Sequence, residues 1–292
     1  MALVLVLCAL LVLSFVVLAL ARRIDQAVFL ATGETRLLDA RALAYSGVQF
    51  ALHPQVTVRT PLLHRQVDRG HSYQARITGE GGKLQLNWML AGEDPVKIQV
   101  LKQFLQYKGL KLEEVDTFVD CLLDYVSPSN LHHAKGSRTT TDGSPVPGKP
   151  FDDLAEVRRV VGSEPLTKQP GWENDFTLWS QGPIDLKWAD ETLLGALPGV
   201  GLDRARAFVQ QRRGPDKLDG TEDDYPIDNI ALAEQMLGFN QQTLAQVQNL
   251  LSINDPTVRI ISVGRALDTS HTIEAVARKQ GMQPQIIQWK EF

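Results

Sequence analysis

Nine consecutive residues, Asp216-Lys217-Leu218-Asp219-Gly220-Thr221-Glu222-Asp223-Asp224, hold five carboxylates. A hard cation such as Ca²⁺ needs six to eight converging oxygens, and a Gly-containing acidic loop can offer them. Asp216, Asp219, Glu222, Asp223 and Asp224 are therefore the candidate ligands, although the spacing is not that of an EF-hand loop. The same residues also read as a solvated acidic loop. A second constellation is Leu194-Gly195-Ala196-Leu197-Pro198-Gly199-Val200-Gly201, followed by Ala205, Phe208 and Val209. This is a helix–hairpin–helix pattern. In DNA-binding proteins the N–H groups of such a turn hold a backbone phosphate. Gly199 and Gly201 with Arg204, Arg206, Arg212 and Arg213 would form that contact, whereas Asp203 and the acidic loop would repel it. The other reading is a helical hairpin used only for packing. No Ser/His/Asp order, Cys/His pair, phosphate loop or zinc spacing occurs, and the adjacent His132 and His133 read as exposed residues of a polar loop. The expectation is a chain without enzymatic activity.

These groups must be positioned by elements whose order is legible in the hydrophobic pattern. Val56 and Val58 suggest a short strand, and Tyr73, Ala75 and Ile77 alternate with polar residues up to Gly79-Glu80-Gly81-Gly82. Leu84, Leu86 and Trp88 alternate again, which predicts a hairpin. Helical spacing then dominates, with one helix at Val96–Tyr107 and another at Leu112–Val126. A Ser/Thr/Gly/Pro-rich loop over 127–150 and a short helix at Asp152–Val161 follow. A helix pair flanks Pro198, and helices are expected near Ile230–Leu237 and Gln242–Leu251. Strands return at Val258–Ser262, Thr272–Val276 and Gln285–Trp289. The simplest packing is an α+β fold in which early and late strands form one antiparallel sheet over a long N-terminal helix. The expected units are residues 1–52 as that helix, 53–92 with 253–292 as the β domain, and 93–252 as an inserted α-helical domain.

The N-terminal helix spans two solvents. Ala2 to Ala21 is apolar apart from Ser14, with no charge, Gly or Pro, and at ~1.5 Å per residue it is long enough for a ~30 Å bilayer core. Helical spacing continues through Ile24, Val28, Ala31, Leu38, Ala42 and Tyr45 and should stop before Pro54. A membrane span fused to an amphipathic half is the shape of a pilin subunit. Arg22 and Arg23 follow the span, which by the positive-inside rule places the globular part in the cytoplasm. The opposite orientation follows if a basic leader precedes Met1, which would then be a processed end rather than a truncated gene start. The 292-residue chain has a net charge of −4, too mild to imply a polyanionic partner, and two distant cysteines, Cys8 and Cys121, that suggest no disulfide.

Several motifs resemble the minor pseudopilin K family of type II secretion systems nearly end to end. They are Met1-Ala2-Leu3-Val4-Leu5-Val6-Leu7, Ala40-Arg41-Ala42-Leu43-Ala44-Tyr45-Ser46-Gly47-Val48, Gly82-Lys83-Leu84-Gln85-Leu86-Asn87, Leu122-Leu123-Asp124-Tyr125-Val126, Pro150-Phe151-Asp152-Asp153-Leu154 and Leu197-Pro198-Gly199-Val200-Gly201. The resemblance implies a pilin-like domain interrupted by a helical domain containing helix–hairpin–helix (SAM-like) units. It also implies a single-pass inner-membrane protein with its globular part in the periplasm, at the tip of a pseudopilus that supports protein secretion across the outer membrane. Other minor pseudopilins would be its partners, prepilin peptidase its processing enzyme if a leader exists, and nucleic acid is not expected. Most pilin-like subunits carry Glu at the fifth mature position. With Met1 as the first residue this chain has Leu5 there, family K members likewise lack the Glu, and Met1 and Leu5 become the assembly residues. Calcium in the helical domain is a further family property, here dependent on the 216–224 loop. The alternative reading is a membrane-anchored helix–hairpin–helix protein that binds DNA as in competence. A third is a cytoplasm-facing tail on an ordinary signal anchor.

Overall fold

Small residues at 40, 44, 47 and 51 decide where the first helix lies. The computed structural model describes residues 2–129, 132–221, 223–281 and 283–292, and within 2–31 the side chains of 13–15, 17, 18, 20, 22 and 23 only. Helix α1 covers Ala2–Leu52 without a break. Its buried stripe, Ala40, Ala44, Gly47, Val48 and Ala51, repeats at three to four residues and faces a sheet. The helix ends ahead of Pro54, as expected. Among the described residues no helix is long and apolar enough to cross a membrane, and most side chains of the expected span lie outside them.

A turn over residues 53–60 leads to strand β1 (His64–Asp68) and then β2 (His71–Gly79). Leu84–Gln85 (β3) and Leu86–Leu90 (α2) open a helical unit that continues with α3 (Pro95–Tyr107), α4 (Leu112–Val126) and α5 (Glu164–Thr167). Two short strands, β4 (Phe176–Thr177) and β5 (Ile184–Asp185), precede α6 (Glu191–Gly195), α7 (Gly201–Arg213), α8 (Ile230–Met236) and α9 (Gln241–Val247). After β6 (Leu251–Ser252) the chain returns to β7 (Thr257–Ala266), β8 (Thr269–Arg278) and β9 (Gln285–Glu291). The main sheet is antiparallel, in the order β1-β2-β7-β8-β9. Its register sets Tyr73 against Gly264, Ala75 against Ser262 and Ile77 against Ile260. Two separate apolar clusters result. One lies between α1 and the sheet, around Ala44, Val48, Ile77, Ile260 and Ile273. The other fills the helical unit, around Leu101, Phe104, Phe118, Tyr125 and Phe208.

Three expectations need correction. The hairpin joining Tyr73–Ile77 to Leu84–Trp88 does not form. β2 pairs over its full length with the distant β7, while Leu84–Gln85 pairs in parallel with Phe176–Thr177. Gln85 then caps the next turn, accepting a hydrogen bond from Trp88 N at 2.6 Å. Leu84 and Leu86 consequently belong to the core of the helical unit. The chain leaves the sheet for the helical unit after Gly79 and returns to it before Thr257, where Gly79 faces Val258. Val56 and Val58 lie in turns instead of a strand, and the first strand is the fully exposed edge β1. The expected helix at 152–161 is a 3₁₀ segment, Leu154–Arg159, opened by a capping box between Asp153 and Glu156.

Candidate functional site at the assembly helix and the insertion junction

The contact of α1 with the sheet is set by two glycines. A Cβ on Gly264 would stand 2.0 Å from the Ala40 carbonyl oxygen and 2.4 Å from the Ala44 nitrogen. One on Gly47 would stand 2.2 Å from Ser262 Oγ. At Gly264 helix and strand backbones thus meet with no side chain between them, and at Gly47 the helix backbone rests on the Ser262 side chain. The C-terminal end of α1 is held by Lys279, whose ammonium donates to the carbonyls of Ala51 (2.8 Å) and Val56 (2.7 Å). A cation at a helix C-terminus satisfies orphan carbonyls and opposes the helix dipole. Burial lowers the pKa of Lys279.

The outward face of α1 exposes large apolar side chains among its charged ones. Leu38 and Tyr45 are 64% and 51% exposed, and along the N-terminal half Leu13, Phe15, Val17, Leu18 and Leu20 are all more than half exposed. Grooves flank the helix on both sides. One, about 570 Å³, is lined by Leu38, Tyr45, Ile273 and Trp289, with the Arg41–Glu291 ion pair (2.8 Å) across it. The other, about 410 Å³, is lined by Asp39, Leu43, Val67, Asp68 and His71. Met1 lies outside the described residues, as does the side chain of Leu5.

The insertion is tied to the sheet by a charge cluster that the sequence did not reveal. Glu80 is fully buried. Its Oε1 accepts hydrogen bonds from Arg259 Nε (2.6 Å) and Lys83 Nζ (2.9 Å), and Arg259 also pairs with Glu274. Burial works to raise the Glu80 pKa, but the two cations outweigh it and hold the carboxyl below its ordinary value. Glu80 adjoins three glycines that read as an exposed turn, so no sequence signal marked it. Beside it Asp185 accepts from Lys187 N (2.9 Å) and Asp255 N (3.0 Å). Burial nonetheless pushes its pKa up to about 6.

The helix–hairpin–helix turn forms as expected, with Gly199 and Gly201 in the left-handed region at φ 81° and 74°. Its arginines are committed elsewhere. Arg204 donates to the carbonyls of Gly199 and Gly238 and so locks the α6–α7 hairpin onto the α8–α9 hairpin. Arg212 is buried and holds Leu186 O, Ala189 O and Asp219, while Arg213 also pairs with Asp219 at 2.8 Å. Arg206 lies 3.8 Å from Asp203. This geometry supports packing and leaves no assembled phosphate site at the turn.

The acidic loop closes on its own backbone. Asp216 accepts from Leu218 N, Asp223 from Asp216 N and Thr221 Oγ1, and Asp224 from Gly220 N. Asp219 faces the two arginines, and Glu222 lies outside the described residues. No cluster of three His, Cys, Asp or Glu side chains suited to a metal occurs among the described residues. The loop also crosses the junction, since Arg59 donates to Asp224 O at 2.9 Å. His133 is not surface filler. It is bonded to the buried Asp124 and to Glu93.

No family model and no curated protein matches the sequence. Among solved structures the chain is similar to a chain of the GspK–GspI–GspJ complex from the type 2 secretion system of enterotoxigenic Escherichia coli. The two are 14% identical, the match covers 93% of this chain and 98% of that one, and the TM-score is 0.60. At this identity the likeness is one of fold, and it covers the long helix, the sheet and the helical insertion together. It is the fold that the resemblance to the K family implies.

Proposed function

We propose that this chain is a non-enzymatic minor pseudopilin, anchored in the inner membrane by residues 2–21 and placed at the tip of a type II secretion pseudopilus. One observation carries the reading. The insertion leaves and re-enters the sheet where Gly79 faces Val258, whereas Ala40 lies over Gly264 and Gly47 over Ser262. The bulky helical unit therefore lies beyond the C-terminal end of α1, at the pole opposite the apolar residues. In a filament assembled through α1, that unit occupies the space where a further subunit would add. The large apolar side chains exposed between Leu13 and Leu20 support a lipid or helix-bundle environment, because water alone would solvate them poorly. The globular part would face the periplasm.

The partners follow from the same fold. The structural relative belongs to a GspK–GspI–GspJ complex, and for this chain we infer a tip complex with other minor pseudopilins. We propose calcium for Asp216, Glu222, Asp223 and Asp224, since Asp219 is already paired with Arg212 and Arg213. Removing the gene in its own organism tests the role. Export of proteins to the medium should stop, and the intact chain should restore it while a chain lacking residues 2–21 should not. Undiminished export would overturn the proposal.

A further inference from the structure

A charge network lies on the helical unit, away from α1. Asp124, at the end of α4, is fully buried. Its Oδ1 lies 2.7 Å from His133 Nδ1 and accepts the His133 backbone N–H at 3.2 Å. The other ring nitrogen, Nε2, lies 3.3 Å from Glu93 Oε2. Neutral imidazole has one N–H and one lone pair, so a ring with a carboxylate on each nitrogen is satisfied only as imidazolium. Among the described residues Asp124 Oδ2 has no hydrogen-bond partner, and His132 Nδ1 lies 3.6 Å from it. The buried carboxylate therefore depends on His133 for its main countercharge.

Three segments meet at this ring. Besides Asp124 of α4 and Glu93 of the turn before α3, the 132–138 loop brings His132, Lys135 and Arg138. Lys135 is occupied by Asp116 and, through its backbone N–H, by Asp120. Arg138 donates to the main-chain carbonyls of Asp124 and Ser127. Gly136 passes so close that a Cβ there would stand 1.9 Å from Asp124 Oδ2. Glu93 and Gly92 both have positive φ, 50° and 73°, so the turn that supplies the second carboxylate is strained as well. The same turn lines a cleft of about 410 Å³ with Leu90, Leu123, Val126, Ser127, Pro128 and Pro150.

We propose that His133 is a pH-operated latch, which holds the 132–138 loop against α4 and the Glu93 turn when protonated and releases it when neutral. Loss of the ring proton sets a lone pair against a carboxylate and leaves the Asp124 charge buried without its cation, a situation that favours opening. Burial of the ring works to lower its pKa, but the bonds to Asp124 and Glu93 outweigh this and raise it, so the transition falls above the ordinary histidine range.

Hydrogen exchange of the full chain in detergent micelles, corrected for intrinsic rates, tests the latch between pH 6 and pH 8. Amides of 132–138 should lose protection at least tenfold across that range, while amides of α7 should not. In His133→Gln the protection should be low and independent of pH, and His132→Gln should keep the wild-type dependence. NMR titration of the His133 ring should give a midpoint above 6.5. Protection of the loop that is flat with pH in the wild type, an unchanged dependence in His133→Gln, or a ring midpoint at or below 6.5 would each overturn the proposal.

Discussion

Gly264 on β7 lies directly against the backbone of Ala40 on α1, at a distance that leaves no room for a methyl group. Replacing it with alanine must move the helix off the sheet or bend the strand. Overpacking of this kind typically costs about 1–3 kcal/mol, and a backbone neighbour cannot swing aside as a side chain can. The account expects Gly264→Ala to lose about 3 kcal/mol. Gly33→Ala, with nothing within 4 Å of the new methyl, should gain about 0.5–1 kcal/mol through helix propensity. Thermal unfolding of the two variants in detergent checks both directions.

Arg259→Met should be among the most damaging single changes at the junction. It leaves Glu80 buried with Lys83 as its remaining cation, and breaking a buried pair costs about 3–5 kcal/mol. The double variant Glu80→Gln/Arg259→Met should recover part of that loss, because no charge is then stranded. A double-mutant cycle from denaturant melts reads the coupling, and additive losses would remove Glu80 from its assigned role.

Stability should rise as pH falls from 8 to 5.5. Asp185 has a folded pKa of about 6 against an ordinary value of 3.8, so the folded state takes up its proton first. Its contribution therefore grows as pH drops through 6 and is complete below 4, on the order of 2–3 kcal/mol over the whole window. His133, raised above 6.5, contributes stability below its unfolded value and loses it as pH rises through the folded one. Glu80 works in the other sense. Its lowered pKa gives stability above about 4.5 that is lost only in stronger acid. A melting temperature higher at pH 5.5 than at pH 8, with a shallower slope in Asp185→Asn, is the expected result.

Much of this architecture is legible from hydrophobic period alone. Tyr73, Ala75 and Ile77 alternate because one face of β2 meets α1, and the α3 and α4 stripes mark a helical core. The partner of β2 was not legible. A local hairpin to Leu84–Trp88 has the right alternation, but the ten-residue β7 offers a longer ladder and a second apolar face, and it lies far along the chain. The buried charges were hidden for a related reason. Glu80, Asp124 and Asp185 acquire their partners from Arg259, His133 and Asp255, and nothing in their own neighbourhoods distinguishes them from surface acids. The four arginines around the helix–hairpin–helix turn show the converse, since their number suggests a phosphate site and their geometry directs them to carbonyls, Asp203 and Asp219.

Millimolar calcium should raise the melting temperature of the chain if Asp216, Asp223 and Asp224 exchange their intraloop hydrogen bonds for one ion shared with Glu222. Excess chelator should reverse the gain, and Asp223→Asn/Asp224→Asn should abolish it. A melting temperature indifferent to both would remove calcium from the account.

The central claim is an assembly role through α1, and co-purification tests it most directly. The full chain, co-expressed with the other minor pilin-type subunits of its own genome and extracted in mild detergent, should elute with them as a stoichiometric complex. Leu38→Glu/Tyr45→Glu on the outward face of α1 should disperse that complex while the chain stays folded. Elution of the intact chain alone, while the remaining subunits bind one another, would contradict the account.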